Sequence, residues 1–107
     1  MQKPWREFAK PSKNEAVRTL IWRPKALDQL DSLIGYIAER DRSAAERIEG
    51  LVLSSAETIR TVPLAGRPGR VKGTREWIVH PNYILVYRLI GTQIVILRFL
   101  HARRLYP

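Results

Sequence analysis

Apolar positions along the chain follow two periods. Leu27, Leu30, Ile34 and Ile37 recur at the spacing of one helix face, with Leu33 beside them. Pro24 stands where a fixed φ and a missing N–H suit a first helical turn, so a helix is predicted over residues 24–40. Asp41-Arg42 breaks it. Ile48, Leu51, Val52, Ser55, Ile59 and Val62 mark the face of a second helix. Ser43-Ala44-Ala45-Glu46 opens that helix as a capping box, and Pro63 ends it. So short a break makes the two helices an antiparallel hairpin. Gly35 and Gly50 are poor helix residues, and a close helix crossing would account for one of them. Before the hairpin, residues 17–22 (VRTLIW) are β-branched and aromatic and read as a first strand.

The second period is that of strands. Residues 75–80, 83–90 and 93–100 are three apolar runs separated by Pro81-Asn82 and Gly91-Thr92, two-residue turns in which Asn82 and Gly91 can take positive φ. Simple pairing through these turns sets Arg88 opposite Val95, Tyr87 opposite Ile96, Leu85 opposite Arg98, Trp77 opposite Val86 and Ile78 opposite Leu85. One face then collects Trp77, Val79, Ile84, Val86, Val95, Leu97 and Phe99, and is assigned to the helices. The other collects Glu76, Ile78, His80, Tyr83, Leu85, Tyr87, Ile96 and Arg98, a mixed surface suited to a partner. Arg75 opposite Arg88 is an unfavourable pair, which a bulge near Arg75, or both residues lying beyond the helices, would relieve. The fold class expected is α+β: strand, antiparallel helix hairpin, three-stranded antiparallel meander (β-α-α-β-β-β). Residues 62–74 (VPLAGRPGRVKGT) are a loop presenting Arg67, Arg70 and Lys72 at the sheet edge.

Composition adds direction to this picture. The 107 residues carry a net charge of +9 and no cysteine. Residues 1–27 are net +5, residues 28–57 net −4 and residues 60–107 net +8. A basic sheet region beside an acidic hairpin attracts a nucleic acid or an acidic protein segment. Residues 1–16 show no period and read as a basic arm, with Trp5 and Phe8 as its only large apolar side chains; residues 17–107 form the domain. No apolar run reaches membrane-spanning length and no signal-peptide block opens the chain, so a cytoplasmic protein without membrane contact is expected.

Candidate chemistry is confined to the sheet. His80, Tyr87, Arg98, His101 and Arg103 supply residue types that metal-free RNA cleavage uses: a base for the 2′-hydroxyl, cations for the phosphate and a donor for the leaving oxygen. The two histidines and scattered carboxylates have no metal-ligand spacing, and no P-loop, nucleophile elbow or dinucleotide fingerprint occurs. Neither metal nor cofactor is expected.

With this order of elements, GRPGR at 66–70, TRE at 74–76, YILVYR at 83–88 and ILRFLHARR at 96–104, the chain resembles the RelE/ParE toxin superfamily of bacterial type II toxin–antitoxin modules over residues 17–107. The resemblance implies a small α+β toxin held in complex by a cognate antitoxin with an acidic or amphipathic C-terminal segment. It also implies one of two targets: mRNA on the ribosome, cleaved by RelE-like members, or DNA gyrase, inhibited by ParE-like members without nuclease activity. The middle strands here lack the lysines of RelE-like sites. Arg103 falls near a catalytic arginine of that branch and His101 near a catalytic histidine of another nuclease branch, where Asn82 replaces an acid. The ParE-like branch is therefore favoured. Arg67, Arg70, Lys72, Glu76, Ile78, Leu85, Ile96 and Arg104 are the expected binding residues; the five ionisable residues above would be catalytic only in a RelE-like chain.

Overall fold

A computed structural model describes residues 18–104 and 106. The expected basic arm, residues 1–16, lies outside them. Strand β1 (Thr19–Trp22) leads into helix α1 (Pro24–Ala38) and helix α2 (Arg42–Thr61); a 3-10 turn (Pro63–Ala65) and strand β2 (Arg67–Pro68) precede β3 (Arg75–His80), β4 (Tyr83–Ile90) and β5 (Gln93–His101). The sheet order is β1-β5-β4-β3-β2. β1 runs parallel to β5, while the other pairs are antiparallel. This is the expected β-α-α-β-β-β fold, with a two-residue edge strand added within the Gly/Pro loop.

Local signals place the helices. Pro24 opens α1 as expected. Asp41, not Ser43, caps α2: its backbone is extended and its carboxylate accepts from the Ala44 N–H at 3.0 Å. The helix therefore begins at Arg42, and Ser43 sits inside the first turn, accepting from Arg47. At the other end, Arg18 donates to the carbonyls of Arg60 and Thr61, two of the acceptors a helix terminus leaves open. Neither Gly35 nor Gly50 is explained by a helix crossing, because a Cβ built at either position meets nothing within 4 Å.

The main core lies between the hairpin and one sheet face. Leu30, Val52, Ala56 and Ile59 from the helices meet Leu20, Leu85, Tyr87, Ile94, Ile96 and Phe99, with Trp77 and Tyr83 at its margin. The expected faces are thus corrected. Leu85, Tyr87 and Ile96 point to the helices, and Ile84 and Val86 point away into a second, smaller cluster with Leu100 and Tyr106. Two bulges cause the inversion. The register shifts between Ile78 and His80 on β3, so Trp77 opposes Leu85, not Val86. It shifts again opposite Val86/Tyr87, leaving Leu97 as the extra residue of β5 and setting Leu85 opposite Phe99. Each inserted residue turns the alternation over by one step. The pairs next to the Gly91 turn, Arg88 with Val95 and Tyr87 with Ile96, are those expected. The bulge also sets Arg75 opposite Tyr87 and separates it from Arg88. Gly91 has a φ of +60°, whereas no described non-glycine residue, Asn82 included, has positive φ.

Only β5's first half is paired with β1. Beyond it the Phe99 N–H donates to the Gln29 side-chain oxygen at 2.9 Å, so α1 supplies the acceptor that a sixth strand would otherwise give. Leu85→Ala should lower unfolding free energy by about 2–5 kcal/mol in urea denaturation, the loss typical of a sealed aliphatic site. A loss under about 1 kcal/mol would place Leu85 on a solvated face and refute the bulged register.

Candidate functional site

Two surfaces gather side chains with chemistry. The first is a groove of about 660 Å³ between α1 and the end of β5, lined by Leu33, Tyr36, Tyr83, Phe99, His101 and Arg104 among others. Tyr83 is its hub: its ring lies 5.6 Å from that of His80, 5.7 Å from His101 and 5.9 Å from Phe99. Past Tyr83 a second hollow of about 580 Å³ continues along Ile37, Ile48 and Leu51 of the hairpin. Arg40 stacks over Tyr36 at 3.8 Å on the outer wall, a cation–π contact that leaves the groove aromatic and cationic.

The histidines repeat one device. Nδ1 of His80 accepts from the Asn82 N–H, and Nδ1 of His101 accepts from the Arg103 N–H, each at 3.1 Å. A neutral imidazole whose Nδ1 accepts carries its proton on Nε2. With Nδ1 engaged, Nε2 is the nitrogen each ring has left for a partner. The two rings shape strand-end turns.

The second surface is the sheet face turned away from the helices. Tyr106 lies on it: it is 6% exposed, packs with Ile84, Val86 and Leu100, accepts from the Arg70 N–H at 3.0 Å and donates to Glu76. Glu76 also pairs with Arg67 at 2.9 Å. Beside Tyr106 lies a cleft of about 310 Å³ bordered by Arg23, Lys25, Arg88 and Arg98.

The expected catalytic set does not assemble. His80, His101 and Arg103 stand near the groove end, with Arg103 exposed. Arg98 borders the cleft on the other sheet face. Tyr87 is sealed in the core, where its hydroxyl donates to the Pro63 carbonyl at 2.6 Å and accepts from the Gly66 N–H at 3.0 Å. A Cβ on Gly66 would meet that hydroxyl at 2.4 Å, so glycine is required there by space. Of the expected binding residues, Arg67, Arg70, Lys72, Ile78 and Arg104 are exposed, while Glu76, Leu85 and Ile96 are buried. Sequence reading did not find Tyr36, Tyr83 and Phe99 as one lining, because only the β5 bulge and the α1 docking bring them together. Among the described residues no cluster of metal-ligating side chains occurs, and no helix is long and apolar enough to cross a membrane.

Comparison with known proteins gives consistent results. The family model for the ParE toxin of type II toxin–antitoxin systems, parDE, matches residues 20–106. Y4kP of Sinorhizobium fredii is 36% identical over 87 residues, covering 80% of this chain and 90% of its own. Toxin RelE2 of Caulobacter vibrioides is 29% identical over 86 residues, covering 80% and 97%. Among solved structures, the chromosomal ParDE TA system from P. aeruginosa superposes with a TM-score of 0.72 at 24% identity, covering 79% of this chain and 96% of that one. The YoeB/ParE toxin from Agrobacterium tumefaciens gives 0.56 at 15%, over 77% and 96%. At these identities the two structures speak for the fold.

The buried hydroxyls make stability pH-dependent. Burial raises the Tyr87 and Tyr106 hydroxyls above the ordinary tyrosine value of 10.0, and the neighbouring Glu76 raises Tyr106 further. A folded-state value above the unfolded one contributes stability that is complete below about pH 10 and is lost as pH rises through the raised values. Thermal unfolding midpoints should therefore fall as pH rises above about 10. Tyr87→Phe and Tyr106→Phe should each flatten that fall, while lowering neutral-pH stability by about 1–3 kcal/mol through stranded partners.

Proposed function

Because the chain belongs to the ParE toxin family of type II toxin–antitoxin systems, and so is a toxin with a cognate antitoxin, we propose that it inhibits DNA gyrase by binding and carries no nuclease activity. The observation that carries this reading is the dispersal of the only candidate catalytic set. Tyr87 is sealed, Arg98 lies across the sheet from His101, and both histidines engage Nδ1 with a backbone N–H. Transition-state stabilisation requires acid, base and cation within reach of one phosphate; this arrangement does not supply that.

What the surface offers instead is area. The aromatic groove, the exposed Arg103-Arg104 turn and the basic edge at Arg67, Arg70 and Lys72 surround the domain with apolar floor and cationic rim. Such a surface suits gyrase contact and, in the neutralised complex, an acidic amphipathic antitoxin segment. Ile78 and Arg104 belong to this contact set.

A second reading, a RelE-like mRNA endonuclease, draws on the exposed His101-Arg103 pair and on the name of the Caulobacter relative. Parallel assays on the purified toxin separate the two. Gyrase supercoiling should be blocked at micromolar toxin, and ribosome-bound transcripts should stay intact. Arg103→Ala with Arg104→Ala should weaken gyrase inhibition about tenfold, the loss expected of a contact pair. Intact supercoiling together with new transcript ends that vanish in His101→Ala would replace the gyrase reading with the nuclease one.

A further inference from the structure

The cleft on the second sheet face has no place in the gyrase reading, and its chemistry points to a small, highly charged ligand. Among the described residues Arg23, Lys25, Arg88 and Arg98 border it, and no carboxylate does. Among the described residues none of the four side chains makes a hydrogen bond or ion pair. The Nε–H of Arg88 is shut off from solvent and has no acceptor. Arg88 as a whole is half-buried, so an oxyanion that meets its outer guanidinium nitrogens offsets the charge that the unpaired donor leaves uncompensated.

The start of α1 opens at the same place. Its N-cap is Arg23, no side chain caps it, and no acidic residue occupies its first turn. The positive end of the helix dipole therefore adds to the four cations. Val71, Val86 and Leu97 form an aliphatic floor, which lowers the local dielectric and strengthens any ion pair made above it.

Two features select the ligand class. One carboxylate would offset one of four cations, whereas adjacent phosphoryl groups carry several charges and accept bidentate bonds from arginine. Among the described residues the only aromatic side chain on the cleft is Tyr106, 6% exposed. It offers no open ring for a base to stack on, so recognition would be of phosphate and not of base.

We propose that this cleft is a phosphate-binding site for two or more adjacent phosphoryl groups, from a free polyphosphate or from a nucleic-acid backbone. Arg88 supplies the buried donor, Arg98 the facing guanidinium, and Arg23 and Lys25 the rim charge at the helix start.

The full-length toxin, labelled with nitrogen-15, is titrated at physiological ionic strength with sodium tripolyphosphate and, separately, with a short DNA duplex, following arginine Nε–Hε signals by NMR. The Arg88 signal should shift first and saturate. Arg88→Gln with Arg98→Gln should weaken binding about tenfold or more. Arg23→Gln with Lys25→Gln, confined to exposed positions, should do the same without touching the sheet. The pair Arg42→Gln and Arg47→Gln on α2 should leave it unchanged. Saturation by tripolyphosphate alone assigns a free ligand, and saturation by duplex alone assigns a backbone. The proposal is overturned if neither ligand saturates Arg88, if the α2 pair reduces binding equally, or if an alternating Glu/Leu peptide occupies the cleft more tightly than both. None of these readouts involves gyrase, so the site stands or falls separately from the target.

Discussion

Strand β4 has a bulged partner on each side, and the distribution of chemistry over the molecule depends on that constraint. Val79 on β3 and Leu97 on β5 are each one residue more than β4 can pair. Between them they turn β4 so that Leu85 and Tyr87 are delivered to the helices and Ile84, Val86 and Arg88 to the opposite face. Bulges also increase local twist. The bulges bring Trp77 and Phe99 onto the face that Leu85 and Tyr87 share, so that one layer packs against the helices. The same step carries His80 round to the hairpin side, where it meets Tyr83 rather than Arg98.

Much of the fold was legible because its signals are local. Helical spacing from Leu27 to Ile37, Pro24 at the helix start and Gly91 in a two-residue turn each name an element without reference to the rest of the chain. Pairing near Gly91 was legible for the same reason: Arg88–Val95 lies close to the turn that sets it. Faces farther from the turn were not, because a bulge leaves no mark in a run such as QIVILRFLH. Both alternatives put β-branched and aromatic residues inward. What distinguishes them is whether the Tyr87 hydroxyl finds acceptors and whether Trp77, Leu85 and Phe99 fill one layer. Those are tertiary facts.

The candidate site was legible by composition and not by arrangement. Arginines and histidines were visible as a basic C-terminal third, and Arg98 does reach the face away from the helices. That His80 and His101 each turn Nδ1 onto a backbone N–H two residues on is a matter of strand-end geometry. The aromatic groove needed α1 laid against β5, with Gln29 holding Phe99, a contact spanning seventy residues of sequence. Asp41 displacing Ser43 as helix cap shows the same limit at short range: both side chains can cap, and backbone conformation chooses between them.

The parallel pairing of β1 with β5 has a consequence for how the toxin comes into being. Thr19 pairs with Gln93 and Trp22 with Ile96, so the sheet closes only between its first and last strands. Loop closure over that separation is slow relative to hairpin formation, and it has to wait for the distal partner. A chain emerging from the ribosome can form α1 and α2 early, yet Leu20 and Trp22 have no strand to lie beside until β5 is made. Until β5 is made the sheet is unfinished, and the aromatic groove and the basic cleft, both bordered by β5, are completed by that one strand.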